Sequence, residues 1–340
     1  MAVFESQKKS ARNLVLSPKS QLTPNDVFAD ASLTRRQRFD GSSVLELKQT
    51  RRSDKDMSGK GTEFATDGQV TSFDSTFSFK AEMDDYLAGW ALAFCMGGDT
   101  VTGSGAPYTH AIAFDETTTE AKMTNVYLED TNDVKTKYPD MAISDVTLSY
   151  ASRGAVGMEV MMAGTGRWTD GAMETLPSLG AYTYLMNSDT VFSLGPSGGD
   201  LVDMTGRFMS ATLKISTGVI NHTAPGGGLY GIFMRTGLRK FSLQATIAAP
   251  DTDDVRTLFV NDTLSAISII TTSGLLPSVL DVEIPQFKMK STQLGVDGNM
   301  VIWKVELDET TAYKVVGGSP VDALSVSVQN SVATAYMVGV

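Results

Sequence analysis

Only two histidines, His110 and His222, and one cysteine, Cys95, stand among 340 residues. A zinc centre needs three or four such ligands, and no His-Glu-x-x-His spacing is present. His110 follows Tyr108 at a predicted strand start and His222 lies in the loop 221–228, so both read as structural or solvent-exposed. Cys95 falls on a predicted amphipathic helix and reads as a small buried hydrophobe, not a nucleophile. Gly59-Lys60-Gly61-Thr62 has the ending of a phosphate-binding loop, but the upstream glycine position holds Asp54. Gly226-Gly227-Gly228 reads as a loop tip. Carboxylates are abundant: residues 84–145 hold eleven Asp/Glu against Lys122, Lys135 and Lys137. Pairs such as Glu129-Asp130 are of the kind used by glycosidases and calcium sites. No Asp-x-Asp-x-Asp-Gly spacing supports calcium, and a solvated acidic surface is the favoured reading. No catalytic residue, metal ligand or cofactor is therefore expected.

With 42% hydrophobic residues the chain can bury a core, and its length suits one large domain or two ordinary ones. The net charge of -11 argues against wrapping nucleic acid through phosphate contacts, which takes an excess of Lys and Arg. The charge is uneven. Residues 1–52 hold ten Lys/Arg and five Asp/Glu, leaving -16 for the rest. That pattern predicts a basic arm docking on an acidic neighbour, or a solvated N-terminus. One cysteine excludes an intrachain disulfide framework and fits assembly in a reducing compartment. Met1–Glu5 begins no apolar run of the secretory type, and the longest apolar stretch, Trp90–Met96, is far short of a membrane span.

The elements that would position any site are mostly strands. Period-2 alternation places Phe73, Phe77, Phe79 and Ala81 on one face of 72–82, with Asp74, Thr76, Ser78 and Lys80 on the other. The same holds for Phe241, Leu243, Ala245 and Ile247 against Ser242, Gln244 and Thr246 in 239–249. In 300–307, Val301, Trp303, Val305 and Leu307 oppose Lys304 and Glu306. Two helices are predicted. Asp84 or Asp85 caps one carrying Leu87, Trp90, Ala91 and Phe94; Asp251 or Asp253 caps one carrying Val255, Leu258 and Phe259. These elements recur. Residues 43–48, a long polar loop, strand 72–82 and the Asp84 helix are echoed by 211–216, a second loop, strand 239–249 and the Asp251 helix. Each copy closes on a strand pair, 143–150 with 158–163 and 285–290 with 300–307, around Gly154 and Gly157 or Gly295 and Gly298. The expected organisation is an arm (1–40), a first unit (41–167), a glycine-rich linker (168–207) with an extra strand in 182–194, a second unit (208–310) and C-terminal strands or arm (311–340).

The run Tyr138–Leu148, followed by Gly154, Gly157-Met158 and Gly164-Thr165-Gly166, resembles phage tail tube proteins. So does Gly89–Phe94 after its polar-aromatic strand, and 237–253 with its downstream strand pair looks like the same unit again. The resemblance covers roughly 40–310. It implies a mainly β fold of tandem β-sandwich units, each flanked by one short α-helix. It also implies a structural virion protein and no enzyme. One sheet would join its neighbours into a ring lining a tube, and stacked rings would conduct genomic double-stranded DNA without binding it. The lumen-facing candidates are then Glu46, Asp74, Thr76, Ser78, Thr212, Lys214, Ser242, Gln244 and Thr246, in a lumen rich in acids and small hydroxyls. Loops 50–71 and 217–236 would bridge rings, with Arg51, Arg52, Lys55, Lys60, His222 and Arg235 as stacking candidates. Two units per chain favour a trimeric ring over a hexamer. Other partners would be tape measure, terminator and distal tail proteins, with assembly in the bacterial cytoplasm and no membrane. The alternatives from other classes are a secreted or surface β-sandwich that binds a glycan or protein, and a carboxylate-based hydrolase.

Overall fold

A computed structural model of the chain describes residues 12–40, 43–52, 68–115, 117–130, 135–223, 228–249, 254–274, 276–298, 300–308, 314–316 and 319–339. In chain order the elements that matter here begin with β1 (Arg12–Leu16), β2 (Arg35–Gln37), β3 (Val44–Arg51) and β4 (Val70–Glu82). Helix α1 (Asp85–Met96) follows, then β5 (Gly97–Thr102), β6 (Tyr108–Phe114), β7 (Met123–Asp130), β8 (Lys135–Tyr150) and β9 (Gly157–Gly164). The second half holds β10 (Thr190–Pro196), β11 (Phe208–Ser216), β12 (Ile220–His222), β13 (Phe233–Arg235) and β14 (Lys240–Ala248). It ends with α2 (Asp254–Val260), β15 (Ser265–Ser273), β16 (Leu276–Asp297), β17 (Met300–Asp308) and β18 (Ser325–Asn330).

Eight strands form one continuous antiparallel layer in the order β3-β4-β9-β8-β11-β14-β17-β16. The first four come from one copy of the repeat and the last four from the other. β8 and β16 are long because each serves two layers. The first half of β8 pairs with β7 and its second half with β9. The first half of β16 pairs with β15 and β18, and its second half with β17. The second layer is β2-β1-β7-β8 under the first unit and β10-β15-β16-β18-β6-β5 under the second. The β5–β6 hairpin leaves the first unit to pair beneath the second, so the two halves share one core.

The crossing of β8 between layers explains the motif around Asp140. This residue adopts φ +58°, a left-handed turn that Asp tolerates better than most. Its buried carboxylate accepts from the Gln21 side chain (3.0 Å), the Asn25 backbone (2.7 Å) and the Thr165 hydroxyl (2.8 Å). Tyr138-Pro139-Asp140 and Gly164-Thr165-Gly166 are thus two sides of one knot.

Alternation in β4, β14 and β17 buries Phe77, Phe79, Phe241, Leu243, Ala245, Ile247, Trp303, Val305 and Leu307 as the sequence predicts, whereas Val301 is exposed. Asp84 caps α1, accepting from the backbones of Tyr86 and Leu87. The helix is not half-wet as an amphipathic stripe implies. Residues Leu87–Met96 are all buried, because β8, β6 and β18 pack around it and Tyr336 lies over Gly89. In α2 the candidate caps Asp251 and Asp253 lie outside the described residues; Val255 is buried, but Phe259 is exposed.

Residues 12–37 are built into the second layer through β1 and β2, with Leu14, Val15 and Leu16 wholly buried. Of their bases, Arg35 lies 3.2 Å from buried Asp84, while Arg36 donates to Asn13 and Arg12 to the Ser43 carbonyl. Within 168–207, β10 supplies buried Phe192 and Leu194 to the second unit, and within 311–340, β18 pairs with β16 and β6.

Candidate functional site: the solvent face and the two sheet edges

The eight-stranded layer has one face on the core and one on solvent. Cross-strand register assigns the residues to faces. Glu46 opposes Thr76 and Lys48 opposes Asp74; Thr212 opposes Gln244 and Lys214 opposes Ser242. Glu46, Asp74, Thr76, Ser78, Thr212, Lys214, Ser242, Gln244 and Thr246 therefore share the solvent face, although they come from two distant stretches of sequence. Sequence reading missed Asp145, Thr147, Ser149 and Glu159, which the strands β8 and β9 add between the two groups. Their alternation was visible, but not their place at the middle of one layer.

The face is mixed in charge where an acid-rich one was expected. Four lysines each meet a carboxylate on it: Lys48 with Glu46 at 3.0 Å, Lys80 with Glu159 at 3.5 Å, Lys214 with Asp145 at 3.3 Å and Lys290 with Glu306 at 3.1 Å. Exposed pairs of this kind add little stability. Their effect is to leave no run of one sign across the surface.

The layer ends in two strands whose outer sides have no strand partner among the described residues, β3 and the second half of β16. An unpaired row of backbone N–H and C=O groups is a template for another strand. Apolar side chains are bare at both ends: Val44 and Leu47 at one, Leu294, Val296, Met300 and Val301 at the other.

The loop candidates fare differently. Arg51 and Arg52 are exposed at the base of the first loop, while Lys55 and Lys60 lie outside the described residues. The second loop folds back as the β12–β13 hairpin onto the first unit. Tyr230 stacks on Phe73 with centroids 5.1 Å apart, Arg167 lies over the Tyr230 ring at 5.3 Å, and Asn221 donates to Asp74 at 2.5 Å. His222 is half-buried and Arg235 exposed in this hairpin, which stands beside the root of the first loop.

The groups with chemical potential are held as structure. His110 is buried, with Nδ1 3.1 Å from Asp99 and Nε2 3.0 Å from the Val332 carbonyl oxygen. Burial disfavours the imidazolium, but Asp99 and the Val332 carbonyl outweigh it and raise the histidine's pKa. Burial pushes the Cys95 thiol well up, away from a reactive thiolate. Glu129 lies 3.7 Å from Lys135. No cluster of three or more His, Cys, Asp or Glu side chains suits a metal among the described residues.

A family profile described as phage tail tube protein matches residues 14–329, nearly the whole chain. The chain belongs to the phage tail tube protein family. Among curated proteins none matches. As a tail tube protein it is a structural component of the phage tail and not an enzyme. The mainly β sandwich architecture agrees with that assignment. No helix among the described residues is long and apolar enough to cross a membrane.

Proposed function

We propose that the chain closes head to tail into a ring of three, and that rings stack into the conduit through which the genome leaves the virion. The observation that carries this reading is the joint inside the chain. There the last strand of the first unit's half-layer, β8, pairs with the first strand of the second unit's, β11, over six residue pairs. The free edges of β3 and β16 are the counterparts of those two strands. The joint between units is then repeated between chains, and a heterologous contact that closes gives a ring. Three chains supply 24 strands, at about 4.8 Å each a circumference of roughly 115 Å and a backbone diameter near 37 Å. That leaves room for a duplex roughly 20 Å across after side chains.

The solvent face of the layer becomes the lumen. Lysines tied to neighbouring carboxylates offer phosphates no net charge and release no counterions on contact, so DNA passes without being held. The first loop, with Arg51, Arg52, Lys55 and Lys60, reaches the adjacent ring, and the hairpin bearing His222 and Arg235 braces its root. Tape measure, terminator and distal tail proteins are the other contacts of such a tube, which forms in the bacterial cytoplasm.

Electron microscopy of the purified protein at high concentration tests this, with the wild-type chain beside one lacking residues 55–64. The wild type should form hollow tubes and the shortened chain should stop at rings. A wild-type chain that stays monomeric at every concentration would contradict the reading.

A further inference from the structure

We infer that Leu294 and Val296 of one copy enter an apolar slot beside Leu45 of the next, in the antiparallel register Leu45 opposite Leu294. The inference rests on the ring reading and adds the residues and register of the contact.

At the joint inside the chain, the second unit does not close on its own side chains alone. Tyr150, the last residue of β8, is buried at 2% exposure. Its ring meets Phe208 edge-on at 6.5 Å, and Phe208 stacks on Phe192 at 4.8 Å. A side chain of the first unit thus plugs the sandwich of the second. The first unit has a corresponding opening at its own outer end. A cavity of about 210 Å³ is lined by Phe39, Leu45, Phe77, Leu128 and Tyr138, with Arg12 and Glu129 also on its wall. Phe39 precedes β3 much as Phe208 opens β11.

The repeat sets which residues fill it. Aligning Leu45 with Leu213 makes Phe77 the counterpart of Leu243, since each opposes that leucine. If Phe79 then matches Ala245, their partners Val160 and Val305 match, and so do Val146 and Thr292 one strand further on. Leu148 and Tyr150 therefore correspond to Leu294 and Val296. Within the chain Leu213 opposes Leu148 and Ala211 opposes Tyr150. Between chains this becomes Leu45 opposite Leu294 and Ser43 opposite Val296, both aimed at the core side, with Glu46 opposite Gln293 on the inner face. The side chains that would be covered are those now bare: Leu294 is 57% and Val296 72% exposed. The helices agree. α1 is covered in part by strands of the following unit, whereas its counterpart α2 leaves Val260 67% exposed.

Disulfide trapping in assembled tubes tests the register. Directly opposed residues come within disulfide reach, whereas positions two apart on the facing strand do not. The full chain carrying Leu45→Cys and Leu294→Cys should cross-link on mild oxidation. Leu45→Cys with Thr292→Cys, and Leu45→Cys with Val296→Cys, should not; buried Cys95 stays silent. Tubes in which a shifted pair cross-links and the matched pair does not would overturn the register while leaving the ring standing, whereas a wild-type chain that forms no rings would remove the ring itself. If the cysteine variants do not assemble, Leu294→Asp decides. It should melt like the wild type as a monomer, yet need at least about tenfold more protein to form rings, because a carboxylate would enter an apolar slot. Wild-type ring yield from Leu294→Asp would overturn the inference.

Discussion

His110 shows how a residue with the means for catalysis serves architecture instead. Both ring nitrogens face acceptors, the Asp99 carboxylate and the Val332 carbonyl, and only the imidazolium can donate to both. Asp99 also accepts from the Tyr336 backbone at 2.7 Å, and the Tyr336 ring lies 4.9 Å from the imidazole. The pair therefore pins the C-terminal segment over α1. Its contribution depends on pH in a fixed direction. A histidine whose folded-state pKa is raised stabilises fully below its unfolded value, about 6.5, and loses that contribution as pH rises through the folded value. His110→Gln should thus cost more stability at pH 6 than at pH 9 in urea melts. An equal cost at both would show that the imidazolium is not what holds the segment. None of these contacts was legible beforehand, since Asp99, His110 and Val332 are brought together only by the pairing of β5, β6 and β18.

At the scale of elements, strands were the most legible feature. Alternation marked the buried faces of β4, β14 and β17, and the repeat offset anticipated the echo of strand, loop, strand and helix. Alternation failed where strands change layers. β16 runs unbroken from Leu276 to Asp297, although only its part near 285–290 is visible as a strand, because its two halves bury opposite needs on one chain. It failed again for β1, where basic neighbours masked a buried Leu-Val-Leu run. The polar loop 217–236 reads as a projection, but its aromatic and arginine contacts hold it on the first unit. Removing the stack of Tyr230 on Phe73 and its contact with Arg167 by Tyr230→Ala should destabilise the chain by about 1–2 kcal/mol. Thermal melts check this, and an unchanged midpoint would mean that the hairpin is held elsewhere. Because the hairpin stands beside the root of the first loop, the same variant should also weaken ring stacking more than ring closure.

At the scale of the molecule, the tandem units make one eight-stranded layer with a free edge at each end, and bare apolar side chains such as Val44, Leu294 and Val296 stand near those edges. Sequence periodicity marked four strands per copy, but not their joining through β8 and β11, which depends on pairing between distant residues such as Tyr150 with Ala211 and Asp145 with Ser216. Nor did it reveal that Lys80 meets Glu159 and Lys214 meets Asp145 across strands of the solvent face, since those partners are also distant in sequence. If the joint within the chain is repeated between chains, three chains make a ring of six units. Symmetry analysis of end-on ring images at side-chain resolution tests it most directly. Threefold symmetry is expected, with 24 strands around the lumen and two non-identical sheet segments alternating. Sixfold symmetry with six identical chains, the second units projecting outward, would contradict it.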